Sequence, residues 1–291
     1  MKAPALAAVM ERRILVNYRV DPDLLGSYLP APFRPALIGG HGVAGICLIR
    51  LGRIRPAGLP AAGLRSENAA HRVAVCWDGP DGPVTGVYIP RRDTSSRLAA
   101  LAGGRLFPGH LHLARFRTRE DDEGYRIQVA SRDGTVQIEV EAHRAGELPP
   151  GSIFTSLDAA SGFFRCAPAG YAATPAPGIF DGVELETAGW TLEPLRLDKV
   201  ASSFFDDRRR FPAGTAEPDS AFLMSGLSTI WHPQAQLRVD ESRTDRSGSR
   251  RRAAIGSAAP AGLRDRRRPH AKGTAKSQSG TLASVIGGVA R

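Results

Sequence analysis

The chain has 291 residues, of which 42% are hydrophobic and 23% charged, values that exclude a wholly disordered protein. Lys and Arg total 39 against 29 Asp and Glu, a formal net charge of +10 that invites a nucleic-acid or anionic-surface reading. Division by segment undercuts it: residues 240–291 carry 12 basic and 4 acidic side chains, whereas residues 1–239 carry 27 and 25.

At the N-terminus the mildly apolar Met1–Met10 is cut short by Glu11-Arg12-Arg13, before it reaches the length of a signal-peptide core. No run elsewhere approaches the roughly 20 apolar residues of a membrane helix, so the expectation is a cytoplasmic protein without membrane partners. A strand over Ile14–Val20 leads to Asp21-Pro22, an N-cap followed by proline at the first helical position. Leu24, Leu25 and Tyr28 form the apolar face of that short helix, and Pro30 stops it. Val43–Ile54 reads as a strand, and Ala69–Trp77 pairs with Val84–Ile89 across Asp78–Pro83. A second helix is predicted from Asp93 or Thr94, with Leu98 and Leu101 inward and Gly103-Gly104 ending it.

Next comes a three-strand meander. His110–Arg119 is joined through Asp121–Gly124 to Tyr125–Val129, and Asp133-Gly134 turns the chain into Thr135–His143. In the last of these, Val136, Ile138, Val140 and Ala142 alternate with polar residues, the period of a half-buried strand. Asp-Gly suits a type I′ turn. Thr155-x-x-Asp158 is a capping box for a third helix with Ala160 and Phe164 inward. Strands follow at Val183–Thr187, Leu195–Val200 and Ser220–Ile230. About ten strands and three short helices predict an α+β class, mainly an antiparallel, barrel-like sheet around a central cavity, spanning residues 10–239.

Residues 240–291 contain no Phe, Trp, Tyr or Cys, and place Arg250-Arg251-Arg252 and Arg264-Asp265-Arg266-Arg267-Arg268 among Ser, Gly, Ala and Pro. Such a segment cannot bury enough apolar surface to offset its ordering entropy, so a disordered tail is expected. Its arginines offer phosphate neutralisation, the alternative function of the chain. No aromatic residues are interleaved for base stacking, which argues against nucleic acid as a partner. An arginine-rich extension starting after Trp231-His232-Pro233 also has the look of a shifted reading frame or an accessory linker.

Ile14-Leu15-Val16-Asn17-Tyr18-Arg19-Val20-Asp21-Pro22-Asp23-Leu24-Leu25, with Leu29-Pro30-Ala31-Pro32-Phe33, resembles the opening of the acetoacetate-decarboxylase-like superfamily. Further motifs resemble one branch of it more closely, the family termed domain of unknown function 2071. They are His71-Arg72-Val73-Ala74-Val75, Gly86-Val87-Tyr88-Ile89-Pro90-Arg91-Arg92-Asp93, Gly103-Gly104-Arg105-Leu106-Phe107-Pro108-Gly109-His110, Phe163-Phe164-Arg165 and Asp219-Ser220-Ala221-Phe222-Leu223-Met224. The likeness covers residues 10–233 and implies a β-rich, barrel-like fold with a central cavity. Decarboxylases of the superfamily use a lysine whose pKa is depressed by a neighbouring cation and an apolar setting, so that the free amine forms a Schiff base. Before Leu106-Phe107-Pro108 this chain has Gly103-Gly104-Arg105, and arginine is no Schiff-base amine. Its only lysines are Lys2, Lys199, Lys272 and Lys276. The resemblance therefore implies the fold, and Schiff-base decarboxylation is not expected.

The expected function is binding or transformation of a small organic molecule in the cavity. Glu67 and His71 fall on one side of a strand with Val73, Val75 and Trp77, an acid–base pair if that side faces the cavity. Against it stands a solvated strand-end Glu and a hydrogen-bonded core His. Arg91 would clamp a carboxylate, with Asp93 orienting it, unless Asp93 caps the helix and the arginines are solvated. The catalytic candidates are Glu67, His71 and Arg105, and the substrate-binding candidates Tyr88, Arg91 and His110. His110-x-His112 points two imidazoles one way, but two ligands do not make a metal site, and no metal is expected. Cys47, Cys76 and Cys166 are too scattered for a disulfide framework or a zinc ribbon. Gly40-x-Gly42-x-x-Gly45 precedes a strand where a dinucleotide site needs a helix, so no cofactor is expected.

Overall fold

A computed structural model describes residues 4–60, 63–80, 82–102, 109–122 and 124–239. Its elements in chain order are β1 (Leu6–Val20), α1 (Pro22–Tyr28), β2 (Arg34–Pro35), β3 (Leu37–Ile38), β4 (His41–Pro56), β5 (Leu64–Gly79), β6 (Gly82–Thr94) and α2 (Arg97–Ala102). After these come β7 (His112–Asp121), β8 (Gly124–Ser131), β9 (Gln137–Arg144), α3 (Leu157–Arg165), β10 (Ala169–Ala173), β11 (Ile179–Thr187), β12 (Glu193–Ser202) and β13 (Ala216–Arg238). The expected tail, residues 240–291, lies outside the described residues.

The fold is α+β and dominated by strands, all in one mixed sheet ordered β11-β10-β6-β7-β8-β9-β12-β13-β1-β4-β5-β2, with β3 attached to β4. Among the described residues only the β6–β10 and β6–β7 pairings are parallel. Two further pairings, β5–β6 and β11–β13, join strands distant in that order, so the sheet turns back on itself.

Alternation along the strands gives the sheet two apolar faces. Ile14, Val16 and Tyr18 of β1 share the inner cluster with Ile46 and Leu48 of β4, Val73 and Val75 of β5, Ile127 of β8 and Val140 of β9. The intervening Leu15, Cys47 and Ala74 face outward with Phe222 and Met224 of β13 and are covered by Phe154 and by Ala160, Phe163 and Phe164 around α3. Each fully buried Leu or Phe contributes roughly 1.5–3 kcal/mol. Aromatic rings pack across the inside: Tyr18 stacks on Phe205 at 4.0 Å, and Phe33 meets Tyr88, Trp77 and Phe180 at 5.1–5.6 Å.

The first helix forms as the sequence predicts: Asp21 accepts from Leu24 N at 2.8 Å and Leu25 is fully buried. Five local expectations need correction. Asp93 and Thr94 do not start the second helix; they end β6, both buried, and Ser96 accepts from Ala99 N at 3.2 Å to cap α2. Leu98 and Leu101 share a helical face, but at 65% and 85% exposure that face does not pack on the sheet. The third helix is capped by Ser156, one residue after the predicted Thr155. In the β8–β9 connection Gly134 takes φ +72° while Asp133 stays out of the left-handed region, so the turn is not type I′. Asp133 instead folds its carboxylate over the turn, accepting from Thr135 N at 3.1 Å. β13 also runs past the predicted end at Ile230 and through Pro233, because β11 pairs with its second half.

Candidate functional site

Glu67 and His71 both point inward from β5, where alternation with Ser66, Asn68 and Arg72 places them on the Val73–Val75 side. Glu67 is not a free base. It accepts from Arg12 Nη2 at 2.5 Å and from Arg50 Nε at 2.5 Å. The same two guanidiniums hold Glu120, Arg50 Nη2 at 2.6 Å. Arg50 also donates to Thr118 Oγ1 at 3.2 Å. Two cations and two anions from β1, β4, β5 and β7 thus form a closed ring, which makes Arg12, 3% exposed, tolerable inside. Burial opposes the charge on Arg50, but Glu67 and Glu120 outweigh it and hold the guanidinium above its ordinary value.

His71 is 1% exposed, with its ring 4.7 Å from Phe204 and 6.1 Å from Phe205. Its Nε2 lies 3.4 Å from Ser202 Oγ, and Nδ1 has no partner. Burial, reinforced by Arg91 and Arg210, pulls the imidazole down to about 3, so it stays neutral. Tyr88 is buried, and its ring is committed to Phe33 and Phe180 at 5.3 and 5.9 Å.

Arg91 stands opposite His71 in the β5–β6 ladder, next to an irregularity between His71 and Val73 that shifts the register. Its Nη2 donates at 2.8 Å to Asp93 and at 2.8 Å to Asp133, and its Nε lies 3.2 Å from Asp93. The carboxylates that Arg91 clamps are therefore the protein's own. The Asp93 side chain is wholly buried, and burial raises its pKa against the pull of Arg91. Asp133 further accepts from Ser131 Oγ at 2.6 Å and Thr135 Oγ1 at 2.8 Å. Burial works against ionisation there, but these donors and Arg91 hold the carboxyl far below the usual range. His112, the first residue of β7, pairs with Asp93 in parallel register and brings Nδ1 to 3.3 Å from Asp133 Oδ2. His110 lies exposed before the strand, its ring edge-on to His112 at 4.5 Å. Burial, then Arg91 and His110, lower the His112 imidazole against the opposing pull of Asp93 and Asp133.

The structure thus joins Arg91 with Asp93, His112 and Asp133 at the junction of β6, β7 and the β8–β9 turn, next to His71. It sets Glu67 in a separate ring and Tyr88 in the aromatic packing, and Arg105 lies outside the described residues. The reading of Asp93 as a partner that orients Arg91 matches their contact, its reading as a helix cap does not, and reading Asp133 as a turn former hid the second carboxylate. Alternation gives no help with Asp93, because the register of β6 shifts between Tyr88 and Arg91.

Among the described residues no set of three or more His, Cys, Asp or Glu is arranged to hold a metal ion, and no helix is long and apolar enough to cross a membrane. A 750 Å³ cleft runs along Arg53, Arg55, Gly58, Leu59 and Pro60, and a 190 Å³ cleft lies by Arg19, His41 and Glu217; neither includes a sequence candidate. Lys199, the only lysine among the described residues, is 51% exposed on β12 and lies 2.8 Å from Glu139. The bond to Glu139 raises its pKa.

The family model for domain of unknown function 2071 (DUF2071), an uncharacterised conserved protein, matches residues 8–209. The chain belongs to this family. Among solved structures the DUF2071 chain is similar to acetoacetate decarboxylase from Legionella pneumophila, at 14% identity and TM-score 0.54 over 82% of this chain and 88% of that one. It is also similar to an acetoacetate decarboxylase-like enzyme from Sphingomonas wittichii RW1, at 15% identity and TM-score 0.51 over 82% and 94%. A third likeness is to the enduracididine biosynthesis enzyme MppR, at 14% identity and TM-score 0.52 over 82% and 89%. At these identities the likeness is one of fold. No curated protein matches the sequence.

Residues of four sequence motifs meet on the outer face of this DUF2071 fold. Arg72 donates to Asn17 Oδ1 and lies 5.0 Å over the ring of Phe164, and Asn17 Nδ2 donates to Ser220 Oγ at 3.2 Å. That node fastens α3 to β1, β5 and β13. Within it Arg72 Nε stays buried without a hydrogen-bond partner.

Proposed function

We propose that the folded-back domain, residues 10–239, binds a small organic molecule at the junction of β6, β7 and the β8–β9 turn, on the inner, barrel-like side of the sheet. The observation that carries this reading is the convergence of Arg91, Asp93, Asp133 and His112, ionisable groups from three segments, with one carboxylate wholly buried. Environments that push neighbouring titratable groups apart are what acid–base chemistry needs. The chemistry is not Schiff-base decarboxylation. That reaction requires an amine with a depressed pKa in an apolar setting, and Lys199 is exposed with a raised one. Residues 240–291 are an accessory segment in this reading and carry none of the site residues.

The test has two arms. A thermal-shift screen of small uncharged carbonyl compounds is expected to find stabilising ligands for the full chain, and Arg91→Met is expected to abolish the shift. Borohydride added with acetoacetate is expected to leave the protein mass unchanged. No stabilising ligand, or one indifferent to Arg91→Met, would remove the junction as a site, and a reduced covalent adduct would restore the Schiff-base mechanism.

A further inference from the structure

Resting on that junction site, we infer that His112 is its acid–base group and Asp133 the positioning residue that orients it. The arrangement is that of an imidazole with a carboxylate beside one of its nitrogens. Nδ1 lies within ion-pair distance of Asp133, 3.3 Å from Oδ2, and Nε2 makes no ion pair among the described residues. Asp133 is itself fixed from three directions, by Ser131 Oγ, by Thr135 through its N–H and hydroxyl, and by Arg91 Nη2. A carboxylate immobilised in this way selects the Nδ1–H tautomer and turns the lone pair of Nε2 outward. The 3.3 Å approach is long, as such contacts often are before a substrate tightens them. His112 is 31% exposed, so a reactant reaches it without unfolding.

The groups facing His112 are Arg91 and Asp93 from β6, His110 from the preceding segment and Asp133 from the β8–β9 turn. With one guanidinium against two carboxylates, the junction carries a net negative charge, which disfavours an anion and leaves a neutral or cationic molecule with an acidic proton as the substrate class. An incoming carboxylate would find Arg91 already taken. In the proton transfer the Nε2 lone pair takes the substrate proton, leaving a conjugate base on the substrate and an imidazolium beside Asp133 and Asp93. The same proton returns to product or water to restore the neutral ring.

Two measurements on the full chain test this without a known substrate. Long-range proton–nitrogen spectra are expected to show His112 as the Nδ1–H tautomer with a midpoint below the ordinary value of 6.5. Asp133→Ala should move the proton to Nε2 and lower the midpoint further, because a stabilising negative charge is gone. Diethyl pyrocarbonate acylates unprotonated imidazole nitrogen, and at about pH 6 His112 is expected to react at least several-fold faster than the exposed His41 and to carry the adduct on Nε2, a selectivity lost in Asp133→Asn. That milder variant serves where Asp133→Ala fails to fold. A tautomer indifferent to position 133, or acylation no faster than at His41, would overturn the assignment. A reactive His112 in a protein that binds no small molecule would instead sink the binding reading and leave this one standing, and an unreactive His112 beside a bound ligand would do the reverse.

Discussion

Two charged clusters sit on the inner face of the same sheet, and their difference is one of charge balance. In the ring of Arg12, Arg50, Glu67 and Glu120, each carboxylate meets both guanidiniums and the charges balance. At the junction one guanidinium serves two carboxylates, with an imidazole beside them. A balanced set of charges holds strands together even with Arg12 Nε buried without a partner, whereas an unbalanced set leaves a net charge for a ligand to meet. Residue type does not separate the two, since both are built from arginines and carboxylates; charge balance does.

The largest effect should come from opening the closed ring. Glu67→Ala leaves Arg12 inside with one anion instead of two and is expected to cost about 3 kcal/mol in urea unfolding. A loss below about 1 kcal/mol would erase the distinction between the clusters. At the junction, Asp93→Asn should change stability by less than about 1 kcal/mol, because burial already disfavours the carboxylate charge that the substitution removes. The same variant should lose the ligand-induced thermal shift. Equal stability losses at Glu67 and Asp93 would make the junction another structural ring.

Acid unfolding sharpens the contrast through its sign. Asp133 has a folded-state pKa held below its unfolded value, so its contribution is present above the ordinary carboxylate range and is lost as pH falls through the depressed value. Asp93 is shifted the other way: its contribution is full below the unfolded pKa and is lost as pH rises through the raised one. Asp133→Asn should therefore flatten the acid limb of the stability profile, and Asp93→Asn should lift stability near neutrality relative to acid. Identical profiles for the two variants would contradict the opposite shifts. Gly134→Ala places a side chain at φ +72° in the turn that carries Asp133 and is expected to cost about 1 kcal/mol. Smallest is Lys199→Ala, which breaks an exposed pair and should change stability by no more than about 1 kcal/mol.

Much of the fold was legible because strand period and turn chemistry are local. The β8–β9 alternation and the Asp21-Pro22 helix start follow from neighbours in sequence alone. The continuation of β13 was not, because Pro233 looks like a stop until β11 is known to lie alongside. The candidate site was half legible. His71 and Arg91 stood out as polar residues on apolar strands, yet only the β5–β6 ladder makes them neighbours. Glu67 looked free because Arg12 and Glu120 lie 55 and 53 residues away from it. Asp93, Asp133 and His112 each had a sufficient local explanation, and nothing in a local pattern announces that three such residues converge.

The most direct test of the central claim is a nitrogen-15 titration of the full chain with the ligand that gives the largest thermal shift. The account predicts perturbed amides at Arg91–Thr94, His112–Ala114 and Ser131–Thr135, with Arg12, Arg50 and Glu67 unmoved. Perturbations centred on Arg12, Arg50 and Glu67, with the junction silent, would contradict it.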